Sequence, residues 1–417
     1  MHRRAVTRYC IVAVCGLLTA GFADAQSYSA QAATRLRREV TLENWDDGGE
    51  RSRFAYLNIS QVFPVAIVRR AGPIVTLPSE PNPAVGRYVV EKESGRDITL
   101  DQLLSDGPFD AFLVVHRGRI VYERYPRMRP DDKHLLMSVT KALIGTAVAI
   151  LEDRGELSVD QPVGALIAEL KGTPWGKVSV RDVLEMASGM EGGEGVGSPY
   201  SDPRHKHYQL EASLGWLPKT PEMPEAVHKE DTYAYLSTLG SVRAPGSRWE
   251  YASVNTAVLG WLLERVTGKR LAEVLSDEIW SRVGAEGDAL LVTNRNGVAV
   301  AHAGMATTLR DLARFGLLLA QREGAGQNAI SDRVRRRITE GGRPQILEPG
   351  HPAWLTHVAY QWDAVTDKGD FFKGGFGDQL LYVAPRKGVV IAYFGTNQSV
   401  SFEPRLLPLR RMVDDLF

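Results

Sequence analysis

The chain of 417 residues contains only two cysteines, and its charges balance, with 50 Lys and Arg against 50 Asp and Glu. So few cysteines exclude a disulfide-rich scaffold and a zinc site built from four thiolates. The balanced charge, without a run of like charges, argues against a basic nucleic-acid-binding surface, and we expect no nucleic-acid partner. A hydrophobic fraction of 44% and a charged fraction of 24% exclude an intrinsically disordered chain. The sequence therefore predicts a folded protein with a large core.

Both cysteines lie near the N-terminus, in a segment with the anatomy of a secretory signal peptide. Three arginines precede an apolar stretch from Ile11 to about Ala20, and Ala23-Asp24-Ala25 resembles a cleavage site. The apolar stretch is too short to span a bilayer comfortably, and no later segment approaches 18 consecutive apolar residues. We therefore expect residues 1–25 to be removed and the protein to be periplasmic or secreted, without a stable membrane anchor.

Cleavage after Ala25 leaves 392 residues without cysteine, and because the leader holds three Arg and one Asp, the remaining chain has a net charge of −2. Its chemistry must then rest on oxygen and amine groups. A lipoprotein anchor at Cys15 and an uncleaved anchor are the alternatives.

Beyond the leader we expect an irregular N-terminal arm, residues 26–95, because this segment is rich in Arg, Pro and Gly. A single domain follows over residues 96–417. Within it, the part from about 156 to 250 is helical in pieces and rich in loops, with five glycines between Gly189 and Gly197. This part is predicted to be an inserted helical lobe.

Two β-hairpins are predicted near the ends of this domain, one from Phe112–Val115 with Ile120–Tyr125 and one from Gln379–Ala384 with Val389–Phe394. Strands at both ends around a helical middle predict an α+β fold, in which helices and the inserted lobe flank an antiparallel sheet.

Three helices are predicted in this domain. Met137 to Asp153 is apolar nearly all round, which indicates a buried helix. A second helix runs from about Ser253 to Thr267, with Gly268 at the position that favours glycine after a helix. The stretch from Thr308 to Asp311 resembles a capping box that opens a third helix.

Several common catalytic motifs are missing, namely G-x-S-x-G, H-E-x-x-H and G-x-x-x-x-G-K-[ST]. The only close histidine pair, His205 and His207, lies in a polar stretch that we interpret as a solvated loop. We therefore predict no metal site and no cofactor.

The sequence Ser138-Val139-Thr140-Lys141 stands at the start of the predicted buried helix. An offset of three residues puts Ser138 and Lys141 on one face of a helix. A buried lysine with a lowered pKa could accept the serine proton, and the helix N-terminus would favour an oxyanion. A chain of this composition is expected to contain about one such spacing by chance, so an N-capping serine followed by a solvent-reaching lysine stays open from this motif alone.

Two further segments add polar groups at ends of predicted elements. Tyr251 immediately precedes the helix that starts near Ser253, and Lys373 with three glycines stands where a strand begins. Glycines at a strand edge allow a substrate to approach the backbone closely. Taken singly, each segment is better explained by a structural role: an aromatic packing residue for Tyr251 and a turn for the glycines.

In this order, the Ser-x-x-Lys, Tyr-x-Ser and Lys-x-Gly motifs resemble the serine β-lactamase and penicillin-binding superfamily, nearest its class C branch. Within it the chain is similar to 6-aminohexanoate-dimer (nylon-oligomer) hydrolases and related carboxylesterases. The resemblance runs from about residue 44 to 400. It is carried further by Asn44–Asp46, Phe112–His116, Asp182–Met190, Tyr200–Pro203, Tyr251–Glu264 and Thr307–Gly316.

The resemblance implies catalytic roles for three side chains. Ser138 would attack an amide or ester carbonyl to give an acyl-enzyme, Lys141 would take its proton, and Tyr251 would shuttle protons to the leaving group and from water. The flanking cations Lys141 and Lys373 would lower the pKa of this phenol. The backbone N–H groups of Ser138 and Phe376 would form the oxyanion hole.

The resemblance also implies substrate contacts from Lys373, Gly375, Ser253 and Tyr200. Two of these positions depart from the β-lactamase pattern: Ser253 stands where an Asn is usual, and Gly374 replaces the threonine of Lys-Thr-Gly. Both changes point away from efficient β-lactam hydrolysis. The charge of Lys373 would still favour a substrate carboxylate.

The sequence thus predicts an exported serine hydrolase that cleaves linear amides or esters, with a small-molecule substrate as its partner. It leaves the oligomeric state open. The alternatives are a β-lactamase or D-amino-acid-specific peptidase and a non-catalytic binding module of the same fold.

Overall fold

The computed structural model describes residues 28–93, 96–320, 330–397 and 403–417, so the expected leader, residues 1–25, lies outside the described residues. Within those ranges no helix is long and apolar enough to cross a membrane. The strands are β1 Val65–Val68, β2 Val89–Glu93, β3 Arg96–Thr99, β4 Phe109–His116, β5 Arg119–Arg124, β6 His134–Leu135, β7 Ala289–Val292, β8 Met305–Thr307, β9 Leu355–Ala359, β10 Trp362–Thr366, β11 Phe371–Gly375, β12 Gln379–Ala384 and β13 Val389–Gly395.

The helices are α1 Ala30–Glu39, α2 Gly49–Leu57, α3 Ile59–Val62, α4 Pro83–Arg87, α5 Leu100–Asp106, α6 Thr140–Asp153, α7 Val163–Leu166, α8 Val180–Leu184, α9 Lys206–Ser213, α10 Glu225–His228, α11 Thr232–Ser237, α12 Ser253–Thr267, α13 Leu271–Leu275, α14 Ser281–Val283, α15 Leu309–Ala320, α16 Asp332–Glu340 and α17 Glu403–Leu416. Short 3₁₀ turns lie at Met137–Val139, Ala168–Leu170, Pro174–Lys177 and Pro344–Ile346, and one π-helical turn lies at Ser276–Trp280.

Both predicted hairpins are present, and they lie in one antiparallel sheet of seven strands. The strand order is β5-β4-β13-β12-β11-β10-β9. Strand β4 pairs with β13, with His116 opposite Val389, so the N-terminal and C-terminal hairpins are joined side by side. The predicted α+β fold is confirmed.

Alternate residues of the central strands enter two separate cores, as the two-residue period of a strand requires. On one face Leu113 and Leu381 pack into the main core with helices α6, α12 and α15. On the other face Phe112 and Tyr382 pack against Leu409 of α17 and its apolar neighbours. Strands covered on both faces need apolar side chains at nearly every position, which explains the continuous apolar run of β13.

The buried helix predicted from Met137 begins three residues later than expected. Met137 has a left-handed backbone conformation with φ 48°, and Met137–Val139 forms a 3₁₀ turn before α6 starts at Thr140. The next predicted helix, α12, has the predicted bounds and ends at Gly268 with φ 69°. The Oγ1 of Thr308 accepts a hydrogen bond from the backbone N–H of Asp311 at 3.2 Å, as expected at the start of α15.

The N-terminal arm is not irregular, and that expectation is wrong for the described part of the segment. It contains α1 to α4, β1 and β2, and β1 pairs with β7 in a second sheet of order β1-β7-β8-β6. Trp45 is 1% exposed, and its Nε1 donates to the carbonyl oxygen of Trp216 at 3.0 Å. Buried aromatic side chains of this segment therefore outweigh the Arg, Pro and Gly content that suggested an irregular arm.

Candidate active site

Ser138 and Lys141 stand together at the junction of the 3₁₀ turn with α6. The Nζ of Lys141 donates to the Oγ of Ser138 at 2.9 Å and to the carbonyl oxygen of His302 at 3.0 Å. Ser138 is half-buried, whereas Lys141 is 0% exposed. The structure therefore places a buried amine in hydrogen-bond contact with a hydroxyl that lines a cavity.

Burial lowers the pKa of Lys141 to about 7, because the charged ammonium is poorly solvated there. The nearby carboxylates of Glu194 and Glu211 oppose this effect, and the charge of Lys373 adds to it. A substantial fraction of Lys141 is therefore neutral near pH 7, and a neutral amine can accept a proton.

Tyr251 lies between two lysines, two residues before the start of α12. The Nζ of Lys373 donates to its hydroxyl at 3.1 Å and stands 4.6 Å from the centroid of its ring. The Nζ of Lys141 stands 5.0 Å from the same centroid. The Ser138 side chain also interacts with the Tyr251 hydroxyl, in the direction that lowers the pKa of the phenol. The three implied catalytic side chains thus form one connected group.

The expected lowering of the Tyr251 pKa is wrong. Burial raises its pKa well above the ordinary value, and the charges of Asp363 and Glu194 raise it further. The phenol is therefore protonated at neutral pH, and in the resting protein it is a proton donor.

Asp363, which the sequence reasoning missed, adds its charge to the larger effect of burial on the Tyr251 pKa. One carboxylate oxygen of Asp363 accepts a short hydrogen bond from the Nζ of Lys373, and the other accepts from the backbone N–H of Gly374 at 2.8 Å. Lys373 itself is 0% exposed. The implied role of Lys373 as a contact for a substrate carboxylate does not fit this placement, because its charge is engaged inside the protein.

Strand β11 passes directly beside the turn that carries Ser138. A Cβ atom added to Gly375 would lie 3.1 Å from the backbone nitrogen of Ser138 and 2.9 Å from the carbonyl oxygen of Leu136. Phe376 follows at once and lines the same cavity as Ser138. The two residues implied for the oxyanion hole therefore meet at one edge of the cavity.

The cavity beside Ser138 has a volume of about 450 Å³. Tyr200 and Ser253, both implied as substrate contacts, line it. The hydroxyl of Tyr200 donates to Glu194 at 2.6 Å, and the backbone N–H of Ser253 donates to the same carboxylate at 2.7 Å. The other lining residues are Glu43, Trp45, Asp46, Asp47, Arg51, Met137, Glu211, His207, Trp216, Leu217, His302 and Ala303.

Carboxylates dominate the charge of this lining. Burial disfavours ionisation of Glu194. The charges of His207 and Lys141, together with the hydrogen bonds from Tyr200 and Ser253, outweigh burial and lower the Glu194 pKa to about 2. Glu211 accepts from the Nε2 of His302 at 2.7 Å, and its pKa is also lowered. Asp46 differs, because burial and the charge of Glu211 raise its pKa to about 7.

His207 is not part of a solvated loop, so that interpretation is wrong. It lies in the first turn of α9, is 2% exposed, and has its ring nitrogens 3.5 Å from Glu194 and 3.5 Å from Glu211. His205 is the N-cap of this helix, and its Nδ1 accepts from the backbone N–H of His207 at 3.1 Å. In the described part of the chain, no group of three or more His, Cys, Asp or Glu residues is arranged to hold a metal ion.

The β-lactamase family matches this chain over residues 100–412. The chain belongs to the β-lactamase family. The 6-aminohexanoate-dimer hydrolase of Paenarthrobacter ureafaciens is 33% identical over 359 residues, which cover 85% of this chain and 87% of that protein. Esterase EstB of Burkholderia gladioli is 31% identical over 177 residues, or 38% of this chain and 41% of that protein.

Solved structures of the β-lactamase family agree with this membership. A Bacillus anthracis protein assigned as a 6-aminohexanoate-dimer hydrolase superposes with a TM-score of 0.79 at 28% identity, covering 91% of this chain and 96% of that chain. A class C β-lactamase superposes with a TM-score of 0.56 at 14% identity, covering 76% of this chain and 94% of that chain, and so shows the shared fold alone. The resemblance stated from the motifs is confirmed, and this member of the β-lactamase family is a hydrolase.

Proposed function

We propose that the protein hydrolyses linear amides or esters through an acyl-enzyme on Ser138. The observation that carries this proposal is the connected group of Ser138, Lys141 and Tyr251, of which Ser138 lines a cavity of about 450 Å³. Its alcohol, amine and phenol are the three groups that a nucleophile, its base and a proton donor require.

Acylation uses each of these groups once. Neutral Lys141 takes the proton of Ser138 as the serine oxygen bonds to the carbonyl carbon. The oxyanion that forms is stabilised by the backbone N–H groups of Ser138 and Phe376, and one such donor is typically worth roughly 10²–10³ in rate. The C–N or C–O bond then breaks, and the leaving group takes the proton of Tyr251.

Deacylation returns both protons. The Tyr251 phenolate is flanked by the ammonium groups of Lys141 and Lys373, 5.0 Å and 4.6 Å from its ring centroid. It takes a proton from water as the water oxygen attacks the acyl carbon. Lys141 gives its proton back to the serine oxygen as the acyl–oxygen bond breaks. A phenol with a raised pKa suits this cycle, because it gives a strong base once it has lost its proton.

The cavity lining favours linear substrates without a carboxylate near the reacting bond. Glu194 and Glu211 both have lowered pKa values and so carry negative charge, while the ammonium of Lys373 is held by Asp363. A linear amide is also what the name of the Paenarthrobacter relative describes, since a dimer of 6-aminohexanoate is joined by one amide bond. A β-lactam antibiotic carries a carboxylate, and the ammonium of Lys373, which the resemblance assigns to that carboxylate, is already paired with Asp363 here.

A fluorophosphonate probe and a substrate panel test the proposal on the whole protein. We expect covalent labelling of Ser138, seen by peptide mass spectrometry, and turnover of p-nitrophenyl esters and of aminohexanoate dimer that exceeds turnover of nitrocefin. Absence of the label would contradict the acyl-enzyme and favour the alternative interpretation, a non-catalytic binding module. Faster turnover of nitrocefin than of the linear substrates would show that β-lactams are the preferred substrate class.

We also propose that the protein is exported, on the strength of the leader sequence alone. Expression of the full chain in a Gram-negative host followed by N-terminal sequencing of the periplasmic fraction tests this. The expected N-terminus is Gln26, and recovery of an intact Met1 in the cytoplasmic fraction would contradict export.

A further inference from the structure

Asp363 lies on β10, and both of its carboxylate oxygens contact the neighbouring strand β11. One accepts from the Nζ of Lys373 and the other accepts from the backbone N–H of Gly374 at 2.8 Å. The side chain of Asp363 is 15% exposed and that of Lys373 is 1% exposed, so the contact is largely shielded from solvent. An ion pair in such a place is weakly screened.

The carboxylate of Asp363 favours the charged form of Lys373. Burial lowers the pKa of Lys373, and the charge and hydrogen bond of Asp363 are the largest effects that oppose the lowering. A buried ammonium without a partner loses its proton or moves toward water. Its remaining described contacts are with Tyr251, through a 3.1 Å hydrogen bond and a position 4.6 Å from the ring centroid.

We propose that Asp363 is a positioning residue that holds the ammonium of Lys373 against the hydroxyl of Tyr251. The inference rests on the proposed function, because it assigns Asp363 a part in proton transfer by Tyr251. Asp363 is not among the described residues that line the cavity. It acts through Lys373, whose charge stabilises the phenolate that forms when the leaving group is protonated.

The pH dependence of turnover separates this role from a purely structural one. The charged and titratable groups that face Tyr251 are Lys141, Lys373, Asp363, Glu194 and Tyr200. Asp363 raises the pKa of Tyr251 and also those of Lys373 and Lys141. Asp363→Asn therefore lowers the pKa values of Lys141 and Lys373, and the profile of kcat/KM that these two groups bound moves toward lower pH.

The experiment compares kcat/KM for an alkyl ester between pH 5 and 10 in four proteins: the wild type, Asp363→Asn, Asp363→Glu and Asp370→Asn. Asn can still accept from the Gly374 N–H, so Asp363→Asn removes mainly the charge. We expect a loss of roughly 10²-fold with a shift of the profile to lower pH, and partial recovery in Asp363→Glu. Asp370 is the matched control, because it is a buried carboxylate beside the same hairpin whose partner is the Tyr382 hydroxyl at 2.6 Å. Asp370→Asn should leave the profile in place.

A double-mutant cycle with Lys373→Gln decides whether Asp363 acts through that lysine. The double variant can also be measured if Asp363→Asn alone folds poorly, because it leaves no unpaired charge at this site. In the Lys373→Gln background, Asp363→Asn should change kcat/KM by less than about threefold. An undiminished effect in that background, or an unmoved pH profile in folded Asp363→Asn, would overturn the inference. Failure of the proposed function is distinct, because the wild type would then show no fluorophosphonate label and no ester turnover.

Discussion

The side-chain nitrogen of Lys141 lies 2.9 Å from the hydroxyl oxygen of Ser138. The amine is held on its other side by a backbone carbonyl group instead of a carboxylate. Because the hydroxyl and the carbonyl group that contact the amine are both uncharged, burial has the largest effect on the pKa of Lys141 and lowers it to about 7.

Ser138→Ala removes the nucleophile of the proposed acyl-enzyme. We expect ester hydrolysis to fall by at least roughly 10³-fold and covalent labelling by a fluorophosphonate to disappear. The half-buried serine hydroxyl is small, so the melting temperature should change by no more than about 3 °C. A variant that retains turnover within tenfold of wild type would disprove the assignment of Ser138.

Lys141→Ala should cost nearly as much as Ser138→Ala, and the double variant should be no slower than either, because the two residues act in one step. In the wild type, kcat/KM should fall as the pH drops below about 7, since protonated Lys141 cannot accept the serine proton. Asp46 titrates in the same range, with a pKa raised to about 7, so Asp46→Asn is the control. If kcat/KM of Asp46→Asn no longer falls below about pH 7, the fall in the wild type is due to Asp46 and not to Lys141.

Lys141→Met should alter the pH dependence of stability in a definite direction. The pKa of Lys141 falls from 10.5 to about 7 on folding, so between these values the unfolded chain binds the extra proton. The free energy of unfolding of the wild type should therefore rise relative to Lys141→Met across this window, by at most about 1.4 kcal/mol per pH unit. Urea unfolding of both proteins at pH 7, 8 and 9 measures the difference, and a constant difference would show that the lysine is charged when folded.

Tyr251→Phe retains the ring that the two ammonium groups face and removes only the hydroxyl. We expect kcat/KM for an amide or alkyl ester to fall by roughly 10²–10⁴-fold, because these leaving groups need a proton. A p-nitrophenyl ester of the same acid should lose much less in the acylation step, since p-nitrophenolate departs without one. Burst kinetics with both substrates separate acylation from deacylation. Equal acylation losses for the two substrates would argue against Tyr251 as the proton donor.

Gly375→Ala would place a methyl group 3.1 Å from the Ser138 nitrogen and 2.9 Å from a carbonyl oxygen. The strand must then shift away from the nucleophile, and a displacement of about 1 Å can cost roughly 10²-fold in rate. Gly172→Ala is the matched control, because nothing lies within 4 Å of its added methyl group. We expect kcat to fall for Gly375→Ala and to stay unchanged for Gly172→Ala, and equal rates would show that this close approach is unimportant.

Local signals in the sequence predicted much of the fold. The hairpins were visible because each has an apolar run on both sides of a polar turn, and the end of α12 was visible because Gly268 adopts a left-handed conformation there. The start of α6 was misplaced because the φ of 48° at Met137 has no sequence signature at a non-glycine residue.

The ion pairs and pKa shifts of the site could not be predicted from local sequence signals. Asp363 stands ten residues before Lys373, on a different strand, and only the pairing of β10 with β11 brings the two together. The two lysines beside Tyr251 predict a lowered pKa for its phenol, whereas burial, to which the charge of Asp363 adds, raises that pKa. His207 was misjudged for a similar reason, since its partners Glu194 and Glu211 lie on both sides of it in the chain.

Trp45 and Asp46 form one wall of the cavity, and both precede residue 100, where the family match begins. The residues Ser138, Lys141 and Tyr251 lie within that match. Trp45 is anchored to this domain through the carbonyl group of Trp216. A change in this wall alters the space beside Ser138 without replacing any of those three residues. Segment 28–63, which packs into the main core through Trp45, Phe54 and Phe63, is accordingly the first place to test for residues that set the substrate range proposed for this hydrolase.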